Sequence, residues 1–549
     1  MFTLIKKNKN NPLFLWFVFL FIVLVVYGKT TANYFVSDDW HFLWLAKDTS
    51  WSWKIFATNY EGGNIGGSYN PILIILYKIF FPFFGLKSST YHFLSLLLHT
   101  TNGFLVYHIA RKIFDVIKLS SQKSWAIMAA ILFLLWPTHA EIINWIAAWP
   151  HLWMTTFYLS SLLFYFKYKD SQRAKHFFLS VLFFTLALFT KEVAISLPFV
   201  ILIWKAYLQS VKKEKYNFSL KNLGVYFGTL AIFLALRYKF IGLLFGYYGK
   251  KSLGISVGDW AGNLGAFVSD FFTFGYLREI FFKVWYHHLE TVAIVVLISF
   301  ATYFYWTLIK RKYDYGIIIL TFLLTIAPTL PLGLHRMTFA GERYLYLPSV
   351  FAIIFLVALL SRRDWGYKYK FFVVAGLLFL CTMVLSYKNF VWQNSSEISR
   401  QIVASYKELN LETNQKLISV GLPDNLLGAE LFRNNLQQAL ELNYPDSYPQ
   451  ITHLPIYTQL NPNNKNENLL TWRQDRVGWF AESVDGGYVV TGQTSITISG
   501  IYFELWNYNY QNYTANTIRL MPHADIIDSI LSGDTKILTY DKGKLKIVE

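Results

Sequence analysis

The chain has 549 residues, of which 54% are hydrophobic and 19% aromatic, while only 15% are charged. A soluble domain carries roughly 25% charged residues, so this composition excludes an ordinary soluble protein. Apolar runs of about 16 to 22 residues recur between residues 13 and 385, the length that crosses the hydrocarbon core of a bilayer. The composition therefore predicts a polytopic α-helical membrane protein.

The N-terminal segment carries Lys6, Lys7 and Lys9 ahead of an apolar run that ends near Tyr27. A basic start of this kind also suits a signal peptide, but the run continues into VYGKTTANYFV without a convincing cleavage motif. We therefore interpret it as an uncleaved first span. The one cysteine, Cys381, lies inside a predicted span, so an internal disulfide is excluded.

Further spans are predicted from the remaining apolar runs, which gives about eleven transmembrane helices in total. They lie at residues 90–110, 125–139, 149–166, 177–190, 193–208, 222–241, 284–309, 315–331, 344–361 and 371–387. The stretch 71–86 is also apolar but contains Lys78 and Pro82, so we expect an interfacial or re-entrant helix there.

Lysine and arginine are concentrated in every second loop, as the positive-inside rule requires when the N-terminus is cytoplasmic. The basic clusters lie at residues 6–9, 111–123, 167–175, 205–221, 310–312 and 362–370, whereas the loop 137–151 has none. With eleven spans, the C-terminal part is then extracytoplasmic. The formal net charge of +17 is thus mostly a topology signal and does not indicate a nucleic-acid partner.

The composition changes near Trp392, which predicts a membrane domain over residues 1–391, with a first outer loop at 28–89, and a second domain over 392–549. The second domain alternates in strand fashion in KLISVGL, YVVTGQTSITISGIYFELW and TKILTYDKGKLKIV, and residues 428–442 have helical spacing. These patterns predict a small extracytoplasmic α+β domain.

Polar residues near the outer ends of the spans are the candidate functional residues, because charge is expensive in a bilayer and usually faces a cavity where it acts. Asp38 and Asp39 follow the first span. Ser37 can cap a helix over 38–47 whose first turn favours acids. The same helix dipole keeps an aspartate ionised, which suits a general base.

Lys191 and Glu192 interrupt an apolar stretch, LALFTKEVAISLP, at the predicted outer interface. One interpretation is a turn between two short spans whose charges reach out to water. The other makes Lys191 a ligand of a phosphate group.

A second basic segment, LHRMTFAGERYLYLPS, carries His335, Arg336, Glu342 and Arg343 between two spans. Two arginines in a short loop can form a phosphate clamp. The alternative is a solvated loop with a Glu-Arg pair of little energetic value.

Two further segments combine aromatic and polar residues. WPTHAEIINWIAAWPHLW contains His139 and Glu141 among tryptophans, which is typical of an interfacial belt and also of a sugar-binding surface. In the second span, His99 and Asn102 lie near each other on the helix. A membrane histidine of this kind is either packed and hydrogen-bonded or part of a site.

Several segments, taken in order, resemble the GT-C superfamily of membrane glycosyltransferases, most nearly the protein O-mannosyltransferases and the TPR-containing transmembrane mannosyltransferases. They are SDDWHFLWLA, FFGLKSSTYHFLSLLLHTTNGFLVYHIAR, WPTHAEIINWIAAWPHLWMTTFYLSSLLFY, TKEVAISLPFVILIW and GERYLYLPSV, with VGLPDNLLGAELFRNNLQQALEL in the outer domain. The resemblance covers most of the chain, although the TPR repeats of the latter family are absent.

The resemblance implies transfer of a sugar from a polyprenyl-phosphate carrier to an acceptor hydroxyl on the extracytoplasmic face. The acidic motif of the family matches Asp38 and Asp39, one as base and its neighbour as orienting group. Lys191, Arg343 and Arg336 are the expected donor-phosphate ligands. The expected substrate-binding residues are His99, Asn102, His139, Glu141, Glu192 and Glu342.

No obligatory metal is expected, since no acidic cluster beyond this pair stands out. The Lys- and Asn-rich style suggests a bacterial cell envelope and hence undecaprenyl phosphate; the acceptor is a glycan, lipid or protein. Three alternatives remain: a polymerase or ligase for lipid-linked polysaccharide that depends on His335 and Arg336, a transporter of lipid-linked sugar, and a non-catalytic scaffold.

Overall fold

The computed structural model describes most of the chain. The described residues are 11–57, 68–213, 220–242, 244, 257–276, 302, 313–334, 340–362, 365–409, 411, 415–460, 470–474, 478–483, 488–490, 495–506, 514–515 and 517–548. The predicted span at 284–309 lies outside them, apart from residue 302, as do His335 and Arg336.

The chain forms two compact units. Unit 1 comprises Met1–Thr31 and Thr49–Asn389, and unit 2 comprises Ala32–Asp48 and Phe390–Glu549. The segment that contains Asp38 and Asp39 therefore belongs to the same unit as the C-terminal part of the chain.

Unit 1 is a bundle of helices. Within the described residues the α-helices are, in order, α1 Pro12–Tyr27, α2 Asp39–Asp48, α3 Pro71–Phe84, α4 Ser88–Val116, α5 Gln122–Leu134, α6 Ala140–Asn144, α7 Trp149–Ser171, α8 Ala174–Thr190, α9 Leu197–Ser210, α10 Leu220–Ile241, α11 Val257–Thr273, α12 Tyr313–Ile326, α13 Tyr346–Arg362, α14 Tyr367–Ser405, α15 Leu436–Asn443 and α16 Ala524–Leu531. All but α2, α15, α16 and the end of α14 lie in unit 1.

Five helical segments of the described part are long and apolar enough to cross a membrane. They are Pro12–Ala32, Glu192–Ser210, Leu220–Ile241, Glu342–Arg362 and Lys368–Leu409. A sixth span is possible if α5 and the following segment Pro137–Asn144, which meet at a bend of 49°, are taken together. The chain is therefore an integral multi-pass membrane protein.

Helix packing in unit 1 is mostly between neighbours in the chain, as short connections favour. The helix α4 packs against α1, α5 and α7, and α7 packs along α8. The helix α13 packs against α5 and α12. Because consecutive helices run in opposite directions, the end of α8 and the starts of α7, α9 and α13 lie at one end of the bundle, and polar residues are concentrated there.

The helix α14 runs on to Ser405, past the residue where the composition changes. Its last turns bury one face, at Trp392, Ser395, Ser399 and Ile402, with the three- and four-residue spacing of an amphipathic helix. On that face the Ser399 hydroxyl donates to the backbone oxygen of Phe35 at 2.6 Å. The polar sequence after the apolar run is thus the amphipathic end of the same helix.

The described part of unit 2 contains three sheets. The strands are β1 Lys416–Ser419, β2 Leu422–Leu426, β3 Ala429–Glu430, β4 Gln450–His453, β5 Tyr457–Leu460, β6 Leu470–Gln474, β7 Trp479–Ser483, β8 Tyr488–Val490, β9 Ser495–Ile498, β10 Ile501–Trp506, β11 Thr514–Ala515, β12 Thr517–Pro522, β13 Thr535–Asp541 and β14 Lys544–Val548. The sheet orders are β14-β13-β1-β4, β6-β7-β12-β10-β9 and β11-β8-β5-β2-β3.

The core of unit 2 follows from period-two alternation. In β10 the side chains of Ile501, Phe503 and Leu505 are buried, while the residues between them are partly exposed. Opposite them, Ile518 and Leu520 of β12 are buried in the same cluster. The strands predicted at 416–422, 488–506 and 535–548 are present.

The helix predicted over 428–442 is wrong in its first half, because a tight hairpin occupies that stretch. Leu427 and Gly428 have φ of 49° and 87° and form a two-residue loop between β2 and β3. Such loops need positive φ at both central residues. The helix α15 begins only at Leu436.

Candidate active site

Charged side chains of unit 1 come together where α7, α9 and α13 begin. This charged cluster is defined here as Glu141, His151, Lys191, Glu192, Arg237 and Arg343. The His151 ring interacts electrostatically with both Lys191 and Arg343. It also contacts the Tyr344 ring, with centroids 5.5 Å apart. Two of the predicted phosphate ligands, Lys191 and Arg343, thus lie near the same histidine, although they are far apart in sequence.

Lys191 and Glu192 are held by an internal hydrogen-bond network. Lys191 has an extended backbone that separates α8 from the short 3-10 turn Glu192–Ser196. Its ammonium group donates to the Ser68 hydroxyl at 3.2 Å, and Ser68 donates to the Glu192 carboxylate at 3.2 Å. The backbone N–H of Tyr69 donates to the same carboxylate at 2.7 Å, and Arg237 lies 4.0 Å from it.

Lys191 is only 6% exposed, so the interpretation in which this charge reaches out to water is wrong. The reason is that the segment before α3 supplies polar partners for both charges inside the protein. Ser68 and Arg237 carry no motif that could have assigned them to the network from sequence.

Arg343 is fixed by Glu141. The two side chains form an ion pair, and the Glu141 carboxylate also accepts from the backbone N–H groups of Arg343 at 2.8 Å and Gly341 at 3.2 Å. Gly341 has a φ of 100°, which favours glycine at this turn. The Arg343 guanidinium lies over the Trp145 ring, 5.0 Å from its centroid. This tryptophan belongs to the predicted aromatic belt, so part of that belt orients a cation.

Glu342 forms an ion pair with Lys388. The pair is almost fully buried, with Glu342 at 1% and Lys388 at 3% exposure. Sequence analysis missed Lys388, although a lysine placed just after a predicted span was a usable signal. The alternative of a solvated loop is therefore wrong for Glu342, whose carboxylate is buried.

His99, Asn102 and His139 lie in the interior of the bundle with protein partners. The His99 Nε2–H donates to the backbone oxygen of Leu134 at 3.1 Å, since a carbonyl can only accept, and Nδ1 then accepts from the Tyr346 hydroxyl at 2.8 Å. Asn102 donates to the same hydroxyl at 3.2 Å, and His139 bonds Ser349 at 2.9 Å. These contacts favour a packing role for all three residues over the expected substrate contact.

In unit 2 the two adjacent aspartates have different surroundings. Asp39 is fully buried, and its carboxylate accepts from the Val36 backbone N–H at 2.9 Å. The helix α2 begins at Asp39, and Ser37 has a φ of 44°, so the carboxylate of Asp39 stabilises the turn where a Ser37 cap is expected. Asp38 is partly exposed, and its carboxylate accepts from the Asn435 side-chain amide at 2.9 Å.

Asn435 is held by the loop that follows β3. It has a φ of 71° and directly precedes α15. Two residues earlier, Arg433 forms an ion pair with the buried Asp424 of β2. Burial alone would lower the pKa of Arg433, but the hydrogen bond and charge of Asp424 raise it above its ordinary value, so the guanidinium stays charged. This pair fixes the loop that carries Asn435.

A metal site is not apparent in the part of the chain that the structure describes. Within those residues there is no group of three or more histidine, cysteine, aspartate or glutamate side chains that could hold a metal ion.

No protein-family model matches the chain, and no curated protein matches it. Among solved structures, the oligosaccharyltransferase of Archaeoglobus fulgidus in its apo form is similar, with a TM-score of 0.42 and 11% identity, covering 88% of this chain and 76% of that one. ArnT from Cupriavidus metallidurans in the apo state gives a TM-score of 0.41 and 12% identity, covering 79% and 84%.

A third similar structure is the archaeal oligosaccharyltransferase AglB from Archaeoglobus fulgidus in complex with an inhibitory peptide and a dolichol-phosphate. It has a TM-score of 0.37 and 11% identity, covering 90% of this chain and 75% of that one. These neighbours are membrane glycosyltransferases of the GT-C superfamily, the superfamily that the sequence motifs resemble. Because the TM-scores lie below 0.5, a proposal for function has to rest on the chain's own residues.

Proposed function

We propose that the chain is an integral membrane glycosyltransferase that moves a sugar from a polyprenyl-phosphate carrier to an acceptor hydroxyl on the extracytoplasmic face. The observation that carries the proposal is the charged cluster of unit 1. Its three cations, Lys191, Arg237 and Arg343, face two carboxylates, Glu141 and Glu192. Within the cluster as defined, cations outnumber carboxylates by three to two, and an anion such as a lipid phosphate would stabilise this excess of positive charge.

In unit 1 we assign Lys191 and Arg343 to the donor phosphate, on which negative charge builds up as the sugar leaves. Glu141 and Glu192 hold these cations in place. Arg336, which lies outside the described residues, stays a predicted third ligand. A guanidinium has five N–H donors, so Arg343 can contact Glu141 and a phosphate together.

In unit 2 we assign Asp38 as the general base and Asp39 as a structural residue of the turn that carries it. An acceptor hydroxyl has to lose its proton as it attacks the anomeric carbon, and only an accessible carboxylate can take it. Asp38 is the more exposed of the two, whereas Asp39 is buried and bonded to its own turn. The adjacent pair thus divides into a reacting group and a structural one.

The test uses the purified full chain with undecaprenyl-phosphate mannose and undecaprenyl-phosphate glucose as donors and measures released undecaprenyl phosphate by mass spectrometry. We expect Asp38→Asn to lower turnover at least 100-fold, the usual contribution of a general base. Asp48→Asn, an exposed residue at the far end of α2, is the matched control and should leave turnover unchanged.

Asp39→Asn should retain most of the turnover per folded molecule but lower the thermal stability, since it weakens the bond to Val36. Full turnover in Asp38→Asn, with an unchanged elution volume in gel filtration, would refute the assignment of the base. Consumption of an oligosaccharide carrier alone would instead favour the polymerase or ligase. Turnover in excess EDTA tests the expectation that no metal is needed.

A further inference from the structure

A basic pocket lies at the opposite end of unit 1 from the charged cluster. It is lined by Lys118, Leu119, Ser120, Ser361, Arg362, Trp365, Gly366 and Lys370, and its volume is about 610 Å³. Arg362 ends α13, whose first turn follows Arg343. The helix has 17 residues, so the two sites are about 25 Å apart along its axis.

The local backbone explains why the pocket forms. Lys118 and Ser121 both have a φ of 54°, which turns the chain sharply between α4 and α5. Arg362 donates to the backbone oxygen of Ile117 at 2.6 Å, and Lys370 donates to that of Ser361 at 2.9 Å. Arg362 and Lys370 therefore cap the C-terminal ends of α4 and α13, and their positive charges line the same pocket.

The charge of the pocket is positive. Three cations line it, and no carboxylate does so among the described residues. The carboxylate that pairs with Arg362 is that of Asp314, at 3.4 Å, and it is shared with Lys212 at 2.9 Å. Arg363 and Asp364, between Arg362 and Trp365 in the sequence, lie outside the described residues and add no net formal charge.

The pocket lies beside surface that is apolar. Trp365 is 43% exposed, and Phe371 and Phe372, directly after Lys370, are 54% and 69% exposed. Phe371 and Phe372 lie in the first turns of a candidate membrane-spanning segment, where exposed aromatic rings face lipid, and Trp365 shortly precedes it. The cations are thus at the level where the headgroups of the bilayer begin.

We propose that this pocket binds the phosphate headgroup of an anionic phospholipid, with the acyl chains against Phe371 and Phe372. Basic pockets between membrane helices bind such headgroups through charge and hydrogen bonds. The site is distinct from the donor-phosphate site, since it lies at the other end of α13. The inference does not depend on the proposed function.

The experiment measures lipid binding to the detergent-purified full chain by native mass spectrometry. The probes are phosphatidylglycerol, phosphatidylcholine and inorganic phosphate. We expect selective binding of phosphatidylglycerol, weakened about 25-fold in Lys118→Gln/Lys370→Gln, since each cation contributes about fivefold. Lys118→Arg/Lys370→Arg keeps the charges and should bind as the unaltered chain does.

The matched control is Lys175→Gln/Lys221→Gln, which removes two exposed lysines at the same end of the bundle without touching the pocket. Ser120→Glu, at an exposed residue of the lining, adds a negative charge without removing a helix cap and should also weaken binding. Equal losses in control and pocket variants would overturn the proposal. So would equal binding of phosphatidylcholine, or displacement by inorganic phosphate at the lipid's own concentration.

Discussion

In unit 2, two neighbouring aspartates have different surroundings. Asp38 and Asp39 are alike in sequence, yet one is partly exposed and faces Asn435, while the other is buried against its own turn. Side chains at adjacent positions of a helix point about 100° apart, so the two carboxylates cannot both face the same surroundings. The sequence predicted the pair as candidates. The choice between the two needs Asn435, which no local pattern connects to them.

At this scale we predict that Asn435→Ala lowers turnover about tenfold without abolishing it. The amide donates to Asp38 and fixes its carboxylate, and loss of such an orienting hydrogen bond costs about 1.5 kcal/mol at a charged group. Asn443→Ala, at the far end of the helix α15 that Asn435 precedes, is the control. If Asn435 positions the base, the loss appears in kcat, while KM for the donor changes little.

If Asn435→Ala lowered stability and left kcat of the folded fraction intact, its contact with Asp38 would be merely structural. The measurement is therefore a kcat and KM determination combined with a thermal-unfolding curve for the same preparation.

Helices and their connections set most of the site in unit 1. The apolar runs predicted the helices α1, α4, α7 to α10, α12 and α13 to within a few residues, because length and hydrophobicity decide such elements. The partners of each charge were not predictable. Glu342 pairs with Lys388, and Lys191 with Ser68, because separate helices bring them together. The hairpin at Leu427–Gly428 was missed because helical spacing does not reveal positive φ values.

At the scale of elements, we predict that removing one charge of the buried Glu342–Lys388 pair destabilises the protein far more than removing both. Glu342→Gln alone leaves an uncompensated ammonium group between α13 and α14 and should destabilise the protein by about 3 kcal/mol. The double variant Glu342→Gln/Lys388→Met removes both charges and should recover most of that stability. Thermal unfolding of the detergent-solubilised chain measures both.

Additive losses in the double variant would show that the two side chains do not depend on each other. A surface pair, Lys112 with Asp170, gives the comparison: neutralising Asp170 should change stability by less than about 1 kcal/mol.

The whole molecule is a multi-pass membrane protein whose clusters of lysine and arginine lie in every second predicted loop. The positive-inside rule predicts that the basic ends, and with them the lipid pocket, are cytoplasmic. We therefore predict that the charged cluster is extracytoplasmic, on the face where the proposed transfer takes place.

This orientation can be tested by labelling. The native Cys381 is buried, so single cysteines introduced at exposed positions can be followed with an impermeant maleimide in intact cells. Lys175→Cys should be labelled only after the cells are opened, whereas Asp541→Cys in unit 2 should be labelled at once. The reverse pattern would invert the topology and place both proposed phosphate sites on the wrong faces.

The contact between Asp38 and Asn435 also has a consequence for biosynthesis. The two residues are 397 positions apart, and β1 pairs in parallel with β13, which is made later still. Nearly all of the membrane bundle is therefore synthesised before Asn435 can orient the proposed base. Nascent chains should remain catalytically silent during insertion, so that no carrier lipid is consumed by a half-made enzyme.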